Sequence, residues 1–309
     1  MAQHIFLTGG TGFLGANVLK RALEDDVCVT MLVRSQSSFD QADAVMGGPD
    51  WRSGVSCVTA PEGEDFDDWF AGLGVDAVIH TAARGGYNLA PGQLPDLIAS
   101  NITLGAQLLE AVYQQYLKDG KRRPIVFCGT YWQHSLPDGS YQPNSFYAAT
   151  KTAFEDIAGY YHTVLGQPVL GLKFYDTFGV ADLRRRAVDL IINALGADTP
   201  LRFSSGTQEV LPLYIDDAAD AILRAVNLLE RGEHLALTYG APGPERLSLR
   251  QLAALVESRA GKSANIDWGA LADRAHEVRK PFALAPLPGW TPKVGLSEGI
   301  DLILKGRNG

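Results

Sequence analysis

The sequence predicts a Rossmann-like α/β fold, a doubly wound parallel sheet followed by a smaller α/β C-terminal portion. Three observations predict it. Short apolar runs alternate with stretches whose apolar residues recur at helical spacing, which places a parallel sheet between layers of helices. The first apolar run breaks at a glycine-rich turn that opens directly into a helical pattern. After Gly179 the strand–helix rhythm changes, with no flexible linker at the border.

The totals exclude several classes. A chain of 309 residues can bury a large core, and 46% hydrophobic with 20% charged residues describes a globular protein. A net charge of −8 argues against a general nucleic-acid or anionic-membrane surface. No apolar run approaches the ~18 residues of a membrane span. Met1-Ala2-Gln3-His4 leads straight into the first strand with no signal-peptide pattern, so a cytoplasmic protein is expected. Cys28, Cys57 and Cys128 lie in apolar runs, are odd in number and show no C-x-x-C spacing. They are expected to be buried free thiols, not a disulfide framework or a zinc site.

Residues 5–15 (Ile-Phe-Leu-Thr-Gly-Gly-Thr-Gly-Phe-Leu-Gly) read as a buried strand, a turn and a helix start. The spacing is G-x-x-G-x-x-G on Gly9, Gly12 and Gly15. One glycine makes the tight turn, one admits a pyrophosphate to the backbone, and one lets the helix pack on the strand. The helix N-terminus then offers unpaired N–H groups and its positive dipole end to the phosphates. A plain tight turn is the alternative for three glycines alone.

A second strand covers residues 27–33, and Arg34-Ser35-Gln36-Ser37-Ser38 follows it. In a dinucleotide fold an acid at this point holds the ribose 2′-hydroxyl of NAD, whereas an arginine suits the 2′-phosphate of NADP. Here Arg34 stands with no acid beside it, and Ser35 adds a hydroxyl donor, so NADP(H) is expected. A solvated arginine at a strand end is the other reading. Further strands are expected at 55–59 and 76–83, the second running into the small residues Ala82 and Ala83, which leave room for a cofactor. Between them, the acidic stretch 62–68 precedes a brief helix. His80 reads as a satisfied core histidine, with no second metal-type residue at a useful spacing.

Residues 84–95 are rich in Gly and Pro and read as a loop at the mouth of the site. A helix is expected over 97–117, where Asn101 looks like an exposed polar position. A strand at 124–128 ends in Gly129-Thr130-Tyr131-Trp132, and Asn144 is placed to cap the helix that follows. The sixth strand is 169–174. Beyond it, helices are expected at 183–195, 215–229, 249–259 and 296–304, with a strand at 235–239.

Tyr147 and Lys151 stand at i and i+4, so both side chains leave one helix face. A lysine cation near a phenol lowers its pKa toward neutrality and makes Tyr147 a general acid or base. Thr130, at the end of the preceding strand, can hydrogen-bond the same substrate oxygen. Y-x-x-x-K alone also describes a surface pair; its place after Thr130 and the glycine turn separates the two readings.

Together, Thr8-Gly9-Gly10-Thr11-Gly12-Phe13-Leu14-Gly15, Thr130 and Tyr147-Ala-Ala-Thr-Lys151 resemble the extended short-chain dehydrogenase/reductases. Tyr214-Ile-Asp-Asp-Ala218 and Gly289-Trp-Thr-Pro292 with Leu296-Ser-Glu-Gly-Ile300 are similar to that family's later segments. The resemblance implies an NADP(H)-binding domain at 1–174 carrying the catalytic residues, and a substrate-binding domain at 175–309 interleaved with it. It implies that Thr130 orients the substrate, Tyr147 transfers the proton, and Tyr147 and Lys151 meet the nicotinamide ribose. Thr11, Phe13 and Leu14 would line the dinucleotide with the three glycines. Ala82 and Ala83 would pass beside the cofactor, with Asn101 in the helix below it. Helices near 97–117 and 144–165 would form a homodimer interface.

Within that family, Cys128-Gly-Thr-Tyr-Trp-Gln-His134 and Phe174-Tyr-Asp-Thr-Phe-Gly179 are most similar to nucleotide-sugar 4-ketoreductases of the CDP-abequose/paratose synthase type. The resemblance implies reduction of a nucleoside-diphosphate 4-keto-6-deoxyhexose by NADPH, with Tyr131, Trp132, Asp176 and Arg184 toward the substrate. Dehydratases of the family carry an Asp–Glu pair where this chain has Tyr131 and Trp132, which cannot exchange protons with carbon. Three positions depart from the family pattern: Asp176 replaces an asparagine, Val210 an arginine, and Thr59-Ala60-Pro61 lacks an aspartate. Arg184, Arg185 and Arg186 either compensate or form a solvated helix start; Arg279 and Lys280 are weaker candidates of the same kind. An epimerase with tightly held NAD, a reductase of a non-sugar carbonyl, and a non-catalytic subunit remain the alternatives.

Overall fold

The computed structural model describes residues 3–34, 36–61, 66–86 and 90–308. The chain runs β1 (His4–Thr8), α1 (Phe13–Glu24), β2 (Cys28–Leu32), α2 (Asp40–Met46), β3 (Ser56–Val58), α3 (Phe66–Gly72) and β4 (Ala77–His80). It continues with α4 (Leu94–Ile98), α5 (Leu104–Asp119), β5 (Ile125–Thr130), α6 (Phe146–Thr163) and β6 (Val169–Phe174). Then follow β7 (Thr177–Phe178), α7 (Ala187–Asn193), β8 (Leu201–Phe203), β9 (Glu209–Val210), β10 (Leu213–Tyr214) and α8 (Ile215–Glu230). The last elements are β11 (Thr238–Ala241), β12 (Leu247–Ser248), α9 (Leu249–Ala260), β13 (Ile266–Trp268) and α10 (Leu296–Asn308).

Seven parallel strands form the main sheet in the order β11-β6-β5-β4-β1-β2-β3. The fold is therefore the doubly wound α/β class that the alternation predicts. Every residue of β5 and β6 is buried, as strands covered on both faces must be. Alternation along β1 divides the core: Ile5 and Leu7 join the cluster under α1 and α8, and Phe6 joins the one under α3, α5 and α6. Strand order reverses between β1 and β4, and a crevice opens beyond the carboxyl ends of strands at such a point. The glycine turn, Ala82 and the end of β5 all lie at that edge.

The chain beyond residue 175 does not stand apart. β11 returns to the main sheet, pairing Thr238 with Gly171 through to Ala241 with Phe174, and α8 packs on α1. Three short strand pairs, β7 with β10, β8 with β13 and β9 with β12, carry the rest.

Several local expectations are corrected. The helix at 97–117 is α4 and α5 joined by a π-helical turn, Ala99–Thr103. Ser145, not Asn144, caps α6, its hydroxyl accepting from the Ala148 N–H at 3.3 Å. The helix expected from 183 starts only at Ala187, because Ala181 and Arg185 take positive φ (60° and 56°) and break the turn before it. The strand expected at 235–239 is β11, and α2 falls in a stretch with no expected element. Cys28 and Cys57 are exposed and only Cys128 is buried. Cys57 sits on β3, the sheet's edge, and Cys28 is the first residue of β2. Residues 62–65 of the acidic stretch lie outside the described residues, as do 87–89 of the loop at 84–95.

Candidate active site

The glycine turn is built for close approach. Gly9 takes φ +76°, and a Cβ there would come within 2.5 Å of the Ala82 nitrogen and 2.7 Å of Thr81 Oγ1. A Cβ on Gly15 would run into the Gly9 carbonyl, so α1 can seat this low on β1 only with glycine. Gly12 donates its N–H to the Gly9 carbonyl at 2.9 Å and leads into α1 with no side-chain cap. The N–H groups of α1's first turn are therefore left to an anion. Thr11 and Leu14 are half-buried and Phe13 is buried. The cradle fits a dinucleotide pyrophosphate.

Thr8 ties this turn to β4. Its hydroxyl lies 2.7 Å from His80 Nδ1 and accepts from the Ala82 N–H at 3.3 Å. The other ring nitrogen, Nε2, finds no partner among the described residues. Burial, with Lys151 adding repulsion, pulls the His80 pKa down to about 3, so the ring is neutral. Ala82 is half-buried and Ala83 exposed at the open end of β4.

Arg34 is exposed just past β2, its N–H donating to Ser37 Oγ at 3.0 Å. Ser35 lies outside the described residues.

Thr130 ends β5, and Tyr147 and Lys151 rise from the first turns of α6. Thr130 Oγ1 accepts from the Trp132 N–H at 3.3 Å, which leaves its hydrogen for a further acceptor. Trp132 stands edge-on to Tyr147, ring centroids 6.2 Å apart. The net shift on the phenol runs opposite to the lowering expected from a nearby lysine. Burial, reinforced by Cys128, pushes Tyr147 up to about 12, and only the Arg186 cation pulls the other way. Burial also pulls Lys151 down to about 8, because an ammonium loses its hydration there. The Cys128 thiol is pushed to about 12 and stays protonated. The Tyr147 phenol thus keeps its proton near neutral pH.

A model of the NAD dependent epimerase/dehydratase family matches residues 5–237. The chain belongs to that family. Among curated relatives of this epimerase/dehydratase member, the CDP-abequose synthase of Yersinia pseudotuberculosis is 25% identical over 90% of this chain and 92% of its own. The UDP-glucuronate 4-epimerase of Thermodesulfobacterium geofontis is 26% identical over 75% of this chain and 72% of its own. Among solved structures, the UDP-glucuronic acid 4-epimerase of Bacillus cereus, in complex with UDP-glucuronic acid and NAD, superposes with a TM-score of 0.80. It is 21% identical, covers 99% of both chains, and shares the fold.

In this family member the candidate substrate residues separate into two groups. Tyr131 stacks on Tyr175 at 5.1 Å, and its hydroxyl points to Asp176 Oδ2 at 3.5 Å. Burial raises the Asp176 pKa, while Arg186, the Tyr131 hydroxyl, Arg184 and Arg274 pull it down. Tyr131, Trp132 and Asp176 come together beside Thr130. Arg184 does not join them. Its guanidinium is engaged by Asp182 and by Thr177, and it lies 4.3 Å from the Phe13 ring, against the glycine turn.

Asn101 is fully buried, contrary to the exposed position its pattern suggests. Its Oδ1 accepts the Arg84 N–H at 2.8 Å, and its Nδ2 donates to the Arg84 carbonyl and to Thr150 Oγ1, each at 3.0 Å. All its hydrogen-bonding directions but one lone pair go to protein, so it fixes the segment after β4 against α6. Gln133 and Lys173 were missed by sequence reasoning. The available signal was Lys173 itself, a charge inside an otherwise apolar strand.

Proposed function

We propose that the protein reduces the C4 keto group of a nucleoside-diphosphate 4-keto-6-deoxyhexose with NADPH. The observation that carries this reading is the placement of Tyr147, a half-buried phenol on the first turn of α6, with Thr130 at the open end of β5 and Trp132 between them in the chain's turn. A ketone reduction needs a proton for the oxygen, whereas an epimerisation starts by removing one. The absence of an acid pair at Tyr131 and Trp132 argues against dehydration, and likeness to CDP-abequose synthase over 90% of the chain supports the sugar-nucleotide assignment.

Gly9, Thr11, Gly12, Phe13, Leu14 and Gly15 would hold the dinucleotide, with Ala82 and Ala83 beside it and Tyr147 and Lys151 toward its nicotinamide end. Arg34, with no acid near it in sequence, supports NADPH over NADH. A bound reduced nicotinamide supplies the hydride. Thr130, with one lone pair taken by the Trp132 N–H, donates its hydroxyl hydrogen to the carbonyl oxygen. Tyr147 gives that oxygen its proton, and the Lys151 ammonium stabilises the phenolate left behind. Asp176 would hold a sugar hydroxyl, with Tyr131 and Trp132 walling the ring.

The second reading is an epimerase with tightly held NAD, favoured by the 26% identity to a UDP-glucuronate 4-epimerase. Stoichiometry separates the two. The reductase consumes one NADPH per sugar alcohol formed; interconversion of sugar epimers with no cofactor consumed would overturn it.

The same reading takes the protein to be a homodimer in the cytoplasm. Leu94, Ile98 and Leu117 on α4 and α5 and Tyr160 and Val164 at the end of α6 are exposed apolar residues that a helix pairing would cover. No helix among the described residues is long and apolar enough to cross a membrane. A solution mass of one chain at micromolar concentration would remove the dimer.

A further inference from the structure

Lys173 is 3% exposed on β6, among residues that are otherwise apolar. Its Nζ lies 2.8 Å from Glu155 Oε1 on α6 and 2.6 Å from His134 Nε2, just past β5. Glu155 Oε2 accepts from Gln133 Nε2 at 2.6 Å, and that amide also reaches Thr152 Oγ1 at 3.1 Å. Gln133 Oε1 accepts the N–H of Thr130 at 2.9 Å. His134 Nδ1 pairs with the Gly139 carbonyl at 2.8 Å, so its hydrogen is on Nδ1 and Nε2 accepts from Lys173. The thread runs from Thr130 through Gln133, Glu155, Lys173 and His134 to Gly139.

Such an ion pair is a poor device for stability, since burying two charges offsets most of their attraction. It is a good device for orientation. A side-chain amide can present either end, and the Glu155 carboxylate can only accept, so it takes the NH2 end and Gln133 turns its oxygen to Thr130. Gly129 makes the approach possible: a Cβ there would stand 2.8 Å from Gln133 Oε1 and 3.0 Å from Lys173 Cγ. Thr130 is thereby held by its N–H from one side and by Trp132 at its hydroxyl from the other.

We propose that Gln133, Glu155 and Lys173 are positioning residues that set the orientation of Thr130, and that His134 extends their hold to the loop at 134–144. The proposal rests on the reading of Thr130 as the group that meets the carbonyl oxygen. The network acts on kcat, because it places a donor where charge develops, and leaves KM nearly unchanged.

A charge swap tests it. Gln133→Glu sets two carboxylates against each other; the double variant Gln133→Glu/Glu155→Gln restores a donor–acceptor pair with the roles reversed. Each is compared with wild type for thermal midpoint, steady-state kinetics on a nucleotide 4-keto sugar with NADPH, and hydrogen exchange of the Thr130 amide in 15N-threonine-labelled protein. Gln133→Glu is expected to lose about tenfold or more in kcat and to speed Thr130 exchange, with the double variant recovering both. A folded Gln133→Glu with wild-type kcat and exchange would overturn the proposal, as would a folded double variant that recovers neither. Should wild type reduce no keto sugar, the proposed reaction fails on its own. Thr130 exchange still decides the network, because it needs no substrate.

Discussion

The rings of Trp132 and Tyr147 meet edge to face, centroids 6.2 Å apart and planes at 87°. The indole is part of what keeps water from a phenol whose pKa burial has raised to about 12. Trp132→Ala is therefore expected to lower that pKa. If Tyr147 is the proton donor, activity falls as pH rises through its pKa, so the alkaline limb of the kcat profile should move to lower pH. A limb left in place would show that Trp132 does not set the phenol's environment.

Tyr147→Phe keeps the ring and its contact with Trp132 but removes the proton. Turnover should fall by about a hundredfold or more, while NADPH binding, read by fluorescence titration, changes little. Retained activity would take Tyr147 out of the chemistry.

Gly15→Ala tests the cradle. The added methyl meets the Gly9 carbonyl, so α1 must move off β1. Dinucleotide affinity should drop at least ~tenfold, with a lower thermal midpoint. An alanine variant that binds NADPH normally would mean that α1 need not sit this close to the turn.

Arg34→Asp should turn preference from NADPH toward NADH, measured as the ratio of kcat/KM values. The side chain is exposed, so folding should be unaffected. An unchanged ratio would assign the 2′-phosphate to another group.

His80 gives the fold an acid-sensitive point. Its folded pKa of about 3 lies below the ordinary 6.5, so the unfolded chain binds the extra proton between those values. Stability from this site is full above about pH 6.5 and declines as pH falls, by roughly 2–3 kcal/mol at pH 4.5. Denaturant titrations at the two pH values should show a smaller pH dependence in His80→Gln. An equal dependence would place the acid sensitivity elsewhere.

The sheet and the cofactor turn were legible because they rest on local pattern. Apolar runs of five or six residues, and Gly9, Gly12 and Gly15 between a strand and a helix, carry their meaning within a short window. Tyr147 and Lys151 were legible as a pair for the same reason, since i and i+4 share a helix face. Their electrostatics were not. The spacing puts a cation near a phenol, but it carries no measure of burial, and burial reverses the sign for Tyr147. Lys173, Glu155 and Gln133 meet across β6, α6 and the turn after β5, a juxtaposition only the folded sheet creates. Arg184 reads as one of three equivalent arginines until the positive φ of Ala181 and Arg185 bends its segment. Stacking on Phe13 then sets it apart.

In the proposed reaction Tyr147 and Thr130 serve hydride delivery to a sugar carbonyl. The most direct measurement uses NADPH deuterated at nicotinamide C4 with a panel of nucleotide 4-keto-6-deoxy sugars, the products read by mass spectrometry and NMR. One deuterium at sugar C4 for each NADP formed is the predicted result. Sugar epimers without deuterium and with NADPH unconsumed would contradict it.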